Sequence, residues 1–271
     1  MSRPERVSVG LIINPIAGMG GAVGLHGTDG ATVLAEAVAR GATAQAPARA
    51  ERALRIVASA DFRVIAAAGP MGGNLAERLG LSVNVVGVEA AQTCATDTRS
   101  AAQAMVAAGV TAILFAGGDG TARDIAAVAG LVPMLGIPSG VKMQSGVFAP
   151  SPEAAGRLIA DLVTGARVGF RKVEIMDIDE EARRVGRLGA RLYGYARAPY
   201  REGLLQAAKS RPSLDDDAAL DAACVETARE LDPATTWLIG PGTTAKRVLR
   251  AYGESGTLLG VDTVRGGAVI G

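Results

Sequence analysis

The sequence predicts an α/β fold: a parallel sheet wrapped by helices, followed by a second, β-richer part. Three observations carry this. Short apolar runs at 7–13, 63–68, 83–86, 111–116 and 134–137 alternate with stretches whose apolar residues recur at helical spacing. The run at 111–116 has the length and apolar content of a strand buried on both faces, and 63–68 reads as a second buried strand. Glycine turns follow four of them, after residues 13, 68, 116 and 137, and in an open parallel sheet such turns gather at the carboxyl ends of the strands, where ligands bind.

With 271 residues, 49% of them hydrophobic and 20% charged, the chain is long enough for one large or two medium domains with real cores. A net charge of +1, with no block of like charge beyond Asp215-Asp216-Asp217, argues against nucleic acid or an anionic membrane as partner. Cys94 and Cys224 lie far apart with no ligand partner near either, so both are expected to be buried in a reducing cytosol. The single histidine, His26, excludes a histidine-based triad elsewhere and any multi-histidine metal site. No secretory signal opens the chain, and residues 125–141, though uncharged, are broken by Gly130, Pro133, Gly136 and Pro138 into soluble core rather than a membrane span.

Taken in order, Val7 to Ile13 is the first strand, closed by Asn14-Pro15. The loop beyond carries Gly18, Gly20, Gly21, Gly24, Gly27 and Gly30, more than the about 4 to 6 residues of an ordinary connector, which points to function. Its Gly18-x-Gly20-x-x-x-Gly24 spacing imitates a dinucleotide fingerprint, but more glycines and Asp29 follow where a helix should open. Residues 31–40 and 48–59 read as helices, and Arg63 to Ala68 as a strand ending in Gly69-Pro70-Met71-Gly72, without the acidic residue a ribose would need. A strand at Val83 to Val86 and a helix from Asp97 to Ala108 precede the stretch that organises the chain.

That stretch is Thr111 to Thr121: an apolar strand stopping in Gly117-Gly118-Asp119-Gly120-Thr121, with a helix expected over 121–129. Glycines let backbone N–H groups approach a phosphate, and the positive end of the following helix faces the same spot. A carboxylate there repels a phosphate unless it has a task. Asp119 suits two: accepting the proton of an attacking hydroxyl, or holding a Mg2+ that neutralises phosphate charge. Thr121 offers its hydroxyl either to a phosphate or to the helix as a cap.

After a strand at Met134 to Ile137 and a helix opened by Ser151, the pattern changes to longer alternating strands at 168–178 and 187–198, placing a domain boundary near 150–167. Glu174, Asp177, Asp179 and Glu180 read as a solvated hairpin face rather than a metal site, and Tyr193, Tyr195 and Tyr200 as packing residues. A helix at 215–230 and a strand at 235–239 lead to another glycine turn, Gly240-Pro241-Gly242-Thr243-Thr244.

Gly117 to Thr121, with Asn14-Pro15, resembles the ATP-NAD kinase family within the superfamily that also holds diacylglycerol and sphingosine kinases. The phrases at 14–21, 68–72 and 137–143 resemble the branch that includes acetoin-catabolism X proteins. This resemblance implies a Rossmann-like N-terminal domain over 1–150 that binds nucleotide and a β-rich acceptor-binding domain over 151–271, incomplete at its C-terminus. It implies phosphoryl transfer from ATP, or polyphosphate, to the 2'-hydroxyl of NAD, with Mg2+, in a cytoplasmic homo-oligomer; a kinase of another small hydroxylated substrate and a non-catalytic nucleotide-binding accessory protein are the alternatives the same residues leave open. Asp119 is then catalytic, and Asn14, Gly69, Pro70, Met71, Gly72, Gly117, Gly118, Gly120, Thr121, Ser139, Lys142, Gly242, Thr243 and Thr244 line the nucleotide sites; no residue is assigned as a metal ligand. Two departures bear on the acceptor and the class: the second half lacks the Asn-Glu pair that touches the acceptor in NAD kinases, and the absence of a GxxxxGK[ST] sequence excludes P-loop kinases.

Overall fold

The computed structural model describes residues 6–23, 31–90, 93–140, 143–166, 168–178, 190–201, 214–257 and 260–270. These form two compact units, Met1–Val23 with Gly27–Lys209 and Gly24–His26 with Ser210–Gly271.

The first unit is built on a five-stranded parallel sheet in the order β3-β2-β1-β4-β5. Its strands are β1 (Ser8–Ile13), β2 (Arg63–Ala67), β3 (Val83–Val86), β4 (Ala112–Gly117) and β5 (Met134–Pro138). Every residue of β4 is buried, as its unbroken apolar run requires of a central strand. Side chains alternate between the two faces of the sheet. One face packs Val9, Leu11, Val64, Leu114 and Leu135 under α3 (Ala46–Val57), the third helix after the short α1 (Met19–Ala22) and α2 (Ala31–Ala39). The same face receives α7 (Pro152–Val163), whose Ser151 cap accepts from Ala154 N at 3.1 Å.

The opposite face packs Ile12, Ile65, Ile113, Phe115 and Met134 against α5 (Ala95–Ala107) and α6 (Asp119–Ala129). A short α4 (Gly73–Arg78) follows β2. Onto the cluster beside α6 lies an antiparallel hairpin, β6 (Gly169–Ile178) and β7 (Ala190–Tyr200), which buries Val173, Ile175, Ala196 and Ala198. Its pairing shifts between Ile175 and Met176, a bulge that turns the far end of the ribbon.

Strand order reverses between β1 and β4, because β2 and β3 extend to one side and β5 to the other. The carboxyl ends of β1 and β4 therefore flank a crevice, the switch point at which doubly wound sheets bind ligands.

The second unit contains α8 (Leu214–Arg229), α9 (Thr243–Tyr252) and a three-stranded antiparallel sheet of β8 (Trp237–Ile239), β9 (Asp262–Arg265) and β10 (Ala268–Val269). Its core is Cys224, Ala228, Leu231 and Val248. Cys224 is buried as expected, but Cys94 is exposed. Cys94 precedes α5, and its N–H donates to Asp97 Oδ2 at 2.8 Å, so this position serves as a helix cap rather than core. Among the described residues no helix is long and apolar enough to cross a membrane.

Candidate active site

The helix after β4 begins two residues earlier than its sequence suggests. Gly117 closes the strand, Gly118 is the N-cap in an extended conformation (φ −112°), and Asp119 is already in the first turn of α6. The two glycines before Asp119 have different reasons. A Cβ at Gly117 would lie 2.5 Å from Thr121 Oγ1, so packing alone requires glycine there. A Cβ at Gly118 would meet nothing within 4 Å, and its φ suits any residue. What glycine achieves at 118 is open space beside the first turn of α6, whose leading N–H groups have no acceptor within the helix.

Asp119 is 9% exposed, and both carboxylate oxygens are held: Oδ2 accepts from Gln144 N at 2.8 Å and Oδ1 from Ser145 N at 2.9 Å. Burial raises its pKa above the ordinary 3.8, with the amides of Ser145 and Gln144 pulling the other way. Each oxygen keeps a second lone pair for a proton or a cation. Ser145 is anchored in turn: its hydroxyl donates to Met176 O at 2.8 Å and accepts from Met176 N at 3.0 Å, linking the carboxylate to β6. One turn along α6, Arg123 pairs with Asp177 Oδ2 at 2.7 Å, and that oxygen lies 3.8 Å from where a Cβ on Gly120 would be.

Asn14 crosses the switch point. Its backbone N–H donates to Ala116 O at 2.9 Å, its Nδ2 to Thr121 Oγ1 at 3.1 Å, and its Oδ1 accepts from Ile16 N at 3.2 Å. Thr121 is buried and caps no helix; its hydroxyl is the acceptor that fixes Asn14. The turn after β5 joins the same edge. Ser139 N donates to Gly117 O at 3.1 Å, and a Cβ at Gly18 (φ +85°) would fall 2.0 Å from Ser139 O, so the loops after β1 and β5 are in contact. Ser139 is 1% exposed and its hydroxyl donates to Ile137 O, which gives it a part in shaping the turn. Arg49, in the first turn of α3, donates to Pro138 O at 2.8 Å and brings a cation to this edge.

The β2 turn is a single 3-10 turn, Gly69–Met71, closed by Gly72 N donating to Gly69 O at 3.3 Å. Gly69 (φ +57°) and Gly72 (φ +146°) have left-handed backbones, Met71 is buried and Pro70 exposed. The structure thus assembles Asn14, Gly117, Gly118, Asp119, Gly120, Thr121 and Ser139 at the ends of β1, β4 and β5, with the Gly69–Gly72 turn at the end of β2 beside them. Lys142 lies outside the described residues. Gly242 caps α9 in the second unit, with Thr243 and Thr244 exposed in the first turn.

The sequence reading missed the grip of Gln144 and Ser145 on Asp119, the Arg123–Asp177 pair and Arg49. Backbone amides leave no mark on residue type, so only the ion pair had a readable signal, an arginine one helical turn past a predicted site.

A buried carboxylate in a strand-to-helix glycine turn, at the switch point of a doubly wound sheet, is the frame of a nucleotide-handling phosphotransferase. The ATP-NAD kinase N-terminal domain matches residues 9–167, more than half of the chain, and the protein belongs to the ATP-NAD kinase family. It is a kinase of the NAD-kinase type. None of the curated proteins matches the chain.

Proposed function

We propose that the protein transfers the γ-phosphoryl group of ATP, or the terminal group of a polyphosphate, to the 2'-hydroxyl of NAD, giving NADP. The observation that carries this reading is Asp119: a buried carboxylate oriented through both oxygens at the mouth of the glycine turn. In the transfer, the 2'-oxygen forms a bond to the phosphorus while the bond from that phosphorus to the bridging oxygen of the donor breaks, releasing ADP when ATP is the donor. The hydroxyl proton passes to Asp119. Its raised pKa makes the carboxylate a better proton acceptor than a solvated aspartate, and the two amide hydrogen bonds keep it aimed without rotation.

The open space at Gly118 admits the phosphates to the first N–H groups of α6, whereas Gly120 faces the Asp177 carboxylate, 3.8 Å from where its Cβ would be. Mg2+ fits this set, because it is usually held by one or two carboxylates together with substrate phosphates, and Asp119 retains free lone pairs for it. Bound there, the ion would neutralise charge on the transferring group.

Within this reading, residues 1–150 are the nucleotide-binding domain and residues 151–271 the acceptor-binding one. Lys142 contacts a phosphate, and Gly242, Thr243 and Thr244 contact the acceptor. The protein works in the cytoplasm as a homo-oligomer, in the branch that the phrases at 14–21, 68–72 and 137–143 resemble.

A second reading, a nucleotide-binding protein without turnover, is favoured by one observation: a carboxylate with both oxygens bound to amides also suits a purely structural staple. Calorimetric titration with ATP and NAD, paired with a turnover assay, separates the two. Binding with NADP formed supports the kinase; binding without product supports the second reading.

A further inference from the structure

At the opposite end of α6 from Asp119, about 16 Å along an eleven-residue helix, lies a groove of about 300 Å³ lined by Gly130, Leu131, Phe170, Lys172, Tyr195 and Arg197, with Arg171 and Ala196 at its wall. Nothing in the proposed transfer uses it. We propose that this groove binds a small organic phosphate, its phosphate group held between Lys172 and Arg197 and its apolar body against Leu131 and Phe170.

The argument begins with strand register. Lys172 and Arg197 are direct cross-strand partners on the outward face of the hairpin, where like charges opposite one another are destabilising. Each cation is braced on a ring of the other strand: Lys172 Nζ lies 4.1 Å from the Tyr195 centroid and Arg197 Cζ 4.5 Å from that of Phe170. These diagonal contacts hold the two charges side by side and not splayed into solvent. No carboxylate among the described residues pairs with either cation. Glu174, in the next outward row, stands opposite Tyr195 and outside the groove lining.

Charge complementarity sets the ligand class. The lining carries the cations Lys172 and Arg197 and no carboxylate, with Arg171 stacked 4.7 Å from the Tyr200 centroid. The C-terminal end of α6 contributes a partial negative charge of about one half, which the full positive charges of Lys172 and Arg197 outweigh. A phosphate bridging Lys172 and Arg197 removes the like-charge penalty and gains a charge-assisted hydrogen bond from each. Leu131 is 85% exposed and Phe170 38%, so the groove also presents uncovered apolar surface beside the cations. Its volume is at the small end of ligand sites, enough for a phosphate and about one ring, not for a polymer or a peptide.

The test uses the full chain labelled with 3-fluorotyrosine, which gives one fluorine resonance for each of its 4 tyrosines, with Tyr195 assigned through Tyr195→Phe. Phenyl phosphate and inorganic phosphate are titrated separately. The expected result is a saturable shift of the Tyr195 resonance by phenyl phosphate, with a midpoint raised about tenfold or more by Lys172→Ala and by Arg197→Ala. Inorganic phosphate should act at higher concentration. Unchanged far-UV circular dichroism and an unchanged position of the Tyr200 resonance, on the same hairpin, show that the variants are folded; if either alanine variant fails this check, Lys172→Gln or Arg197→Gln replaces it. No saturable shift, or a midpoint unmoved in both variants, overturns the proposal. Equal midpoints for the two phosphates overturn the apolar contact to Leu131 and Phe170. These outcomes are independent of whether NAD is phosphorylated.

Discussion

Asn14 Nδ2 donates to Thr121 Oγ1 at 3.1 Å, fastening the end of β1 to the first turn of α6 across the crevice where strand order reverses. The bond joins residues 107 positions apart and sets the width of that crevice. Thr121→Val removes the acceptor and leaves the Asn14 amide unpaired in a part-buried place, so urea unfolding should show a loss of about 0.5–1.5 kcal/mol. Thr121→Ser keeps the hydroxyl and should retain most of that stability.

The pair Gly117 and Gly118 separates packing from ligand access. Gly117→Ala drives a Cβ to within 2.5 Å of Thr121 Oγ1 and should destabilise by about 1–3 kcal/mol. Gly118→Ser has room, and serine suits an extended N-cap, so stability should stay within about 0.5 kcal/mol. The side chain then occupies the space assigned to phosphate, and the Kd for ATP should rise about tenfold or more. Equal ATP affinity in wild type and Gly118→Ser would remove the glycine turn from the binding site.

Asp119→Asn should lower kcat at least about 10²-fold, because the amide accepts no proton; its NH2 group also faces the N–H of Gln144 or Ser145 with no acceptor between them, so urea unfolding should show a loss of about 1–3 kcal/mol. A rate equal to wild type would assign Asp119 to structure alone.

The pH dependence follows from burial. Asp119 has a folded pKa above its ordinary 3.8, so the acidic limb of kcat/KM should lie above that value and vanish with the residual activity of Asp119→Asn. The sign for stability is the reverse of the usual carboxylate case. A raised folded pKa means the folded state binds the proton more tightly, so this contribution is fully present below 3.8 and lost as pH rises through the folded value. The stability difference between wild type and Asp119→Ala should therefore shrink over that window in denaturant titrations at stepped pH.

Lys142 is the only lysine in the first 170 residues and follows the turn that contains Ser139. Lys142→Ala should weaken ATP binding by about 1.5–3 kcal/mol, the worth of a hydrogen bond to a charged group. An unchanged Kd in calorimetry would return Lys142 to the surface.

The sheet was legible because four of its strands are short runs buried over most of their length, and such a run can be little else; β3 lies at the edge with Asn84 and Val85 exposed, and was found from its valines. Met134 to Pro138 and the helix before it emerged from an uncharged stretch because Gly130 and Pro133 punctuate it. The start of α6 was misplaced by two residues, since Gly118 as N-cap and Asp119 in the first turn look in sequence like two more loop residues. The amides of Gln144 and Ser145 reach Asp119 from 25 and 26 positions away, which no local pattern encodes. Tyr193 and Tyr195 were read as packing residues, whereas both are exposed with cations over their rings; strand register decides that, and a bulge alters the register nearby. β9 and β10 escaped notice because Asp262-Thr263-Val264-Arg265 is too polar and short to announce a strand.

The central claim is the acceptor. Incubation of the protein with ATP, Mg2+ and, separately, NAD, NADH, diacylglycerol, acetoin and simple polyols, followed by mass identification of each product, tests it most directly. The account predicts one added phosphoryl group on NAD, at the adenosine 2'-position, and none formed by Asp119→Asn above about one hundredth of the wild-type rate. Phosphorylation of a polyol or a lipid with none of NAD would contradict the acceptor assignment, and ATP bound with no phosphorylated product from any acceptor would contradict the kinase itself.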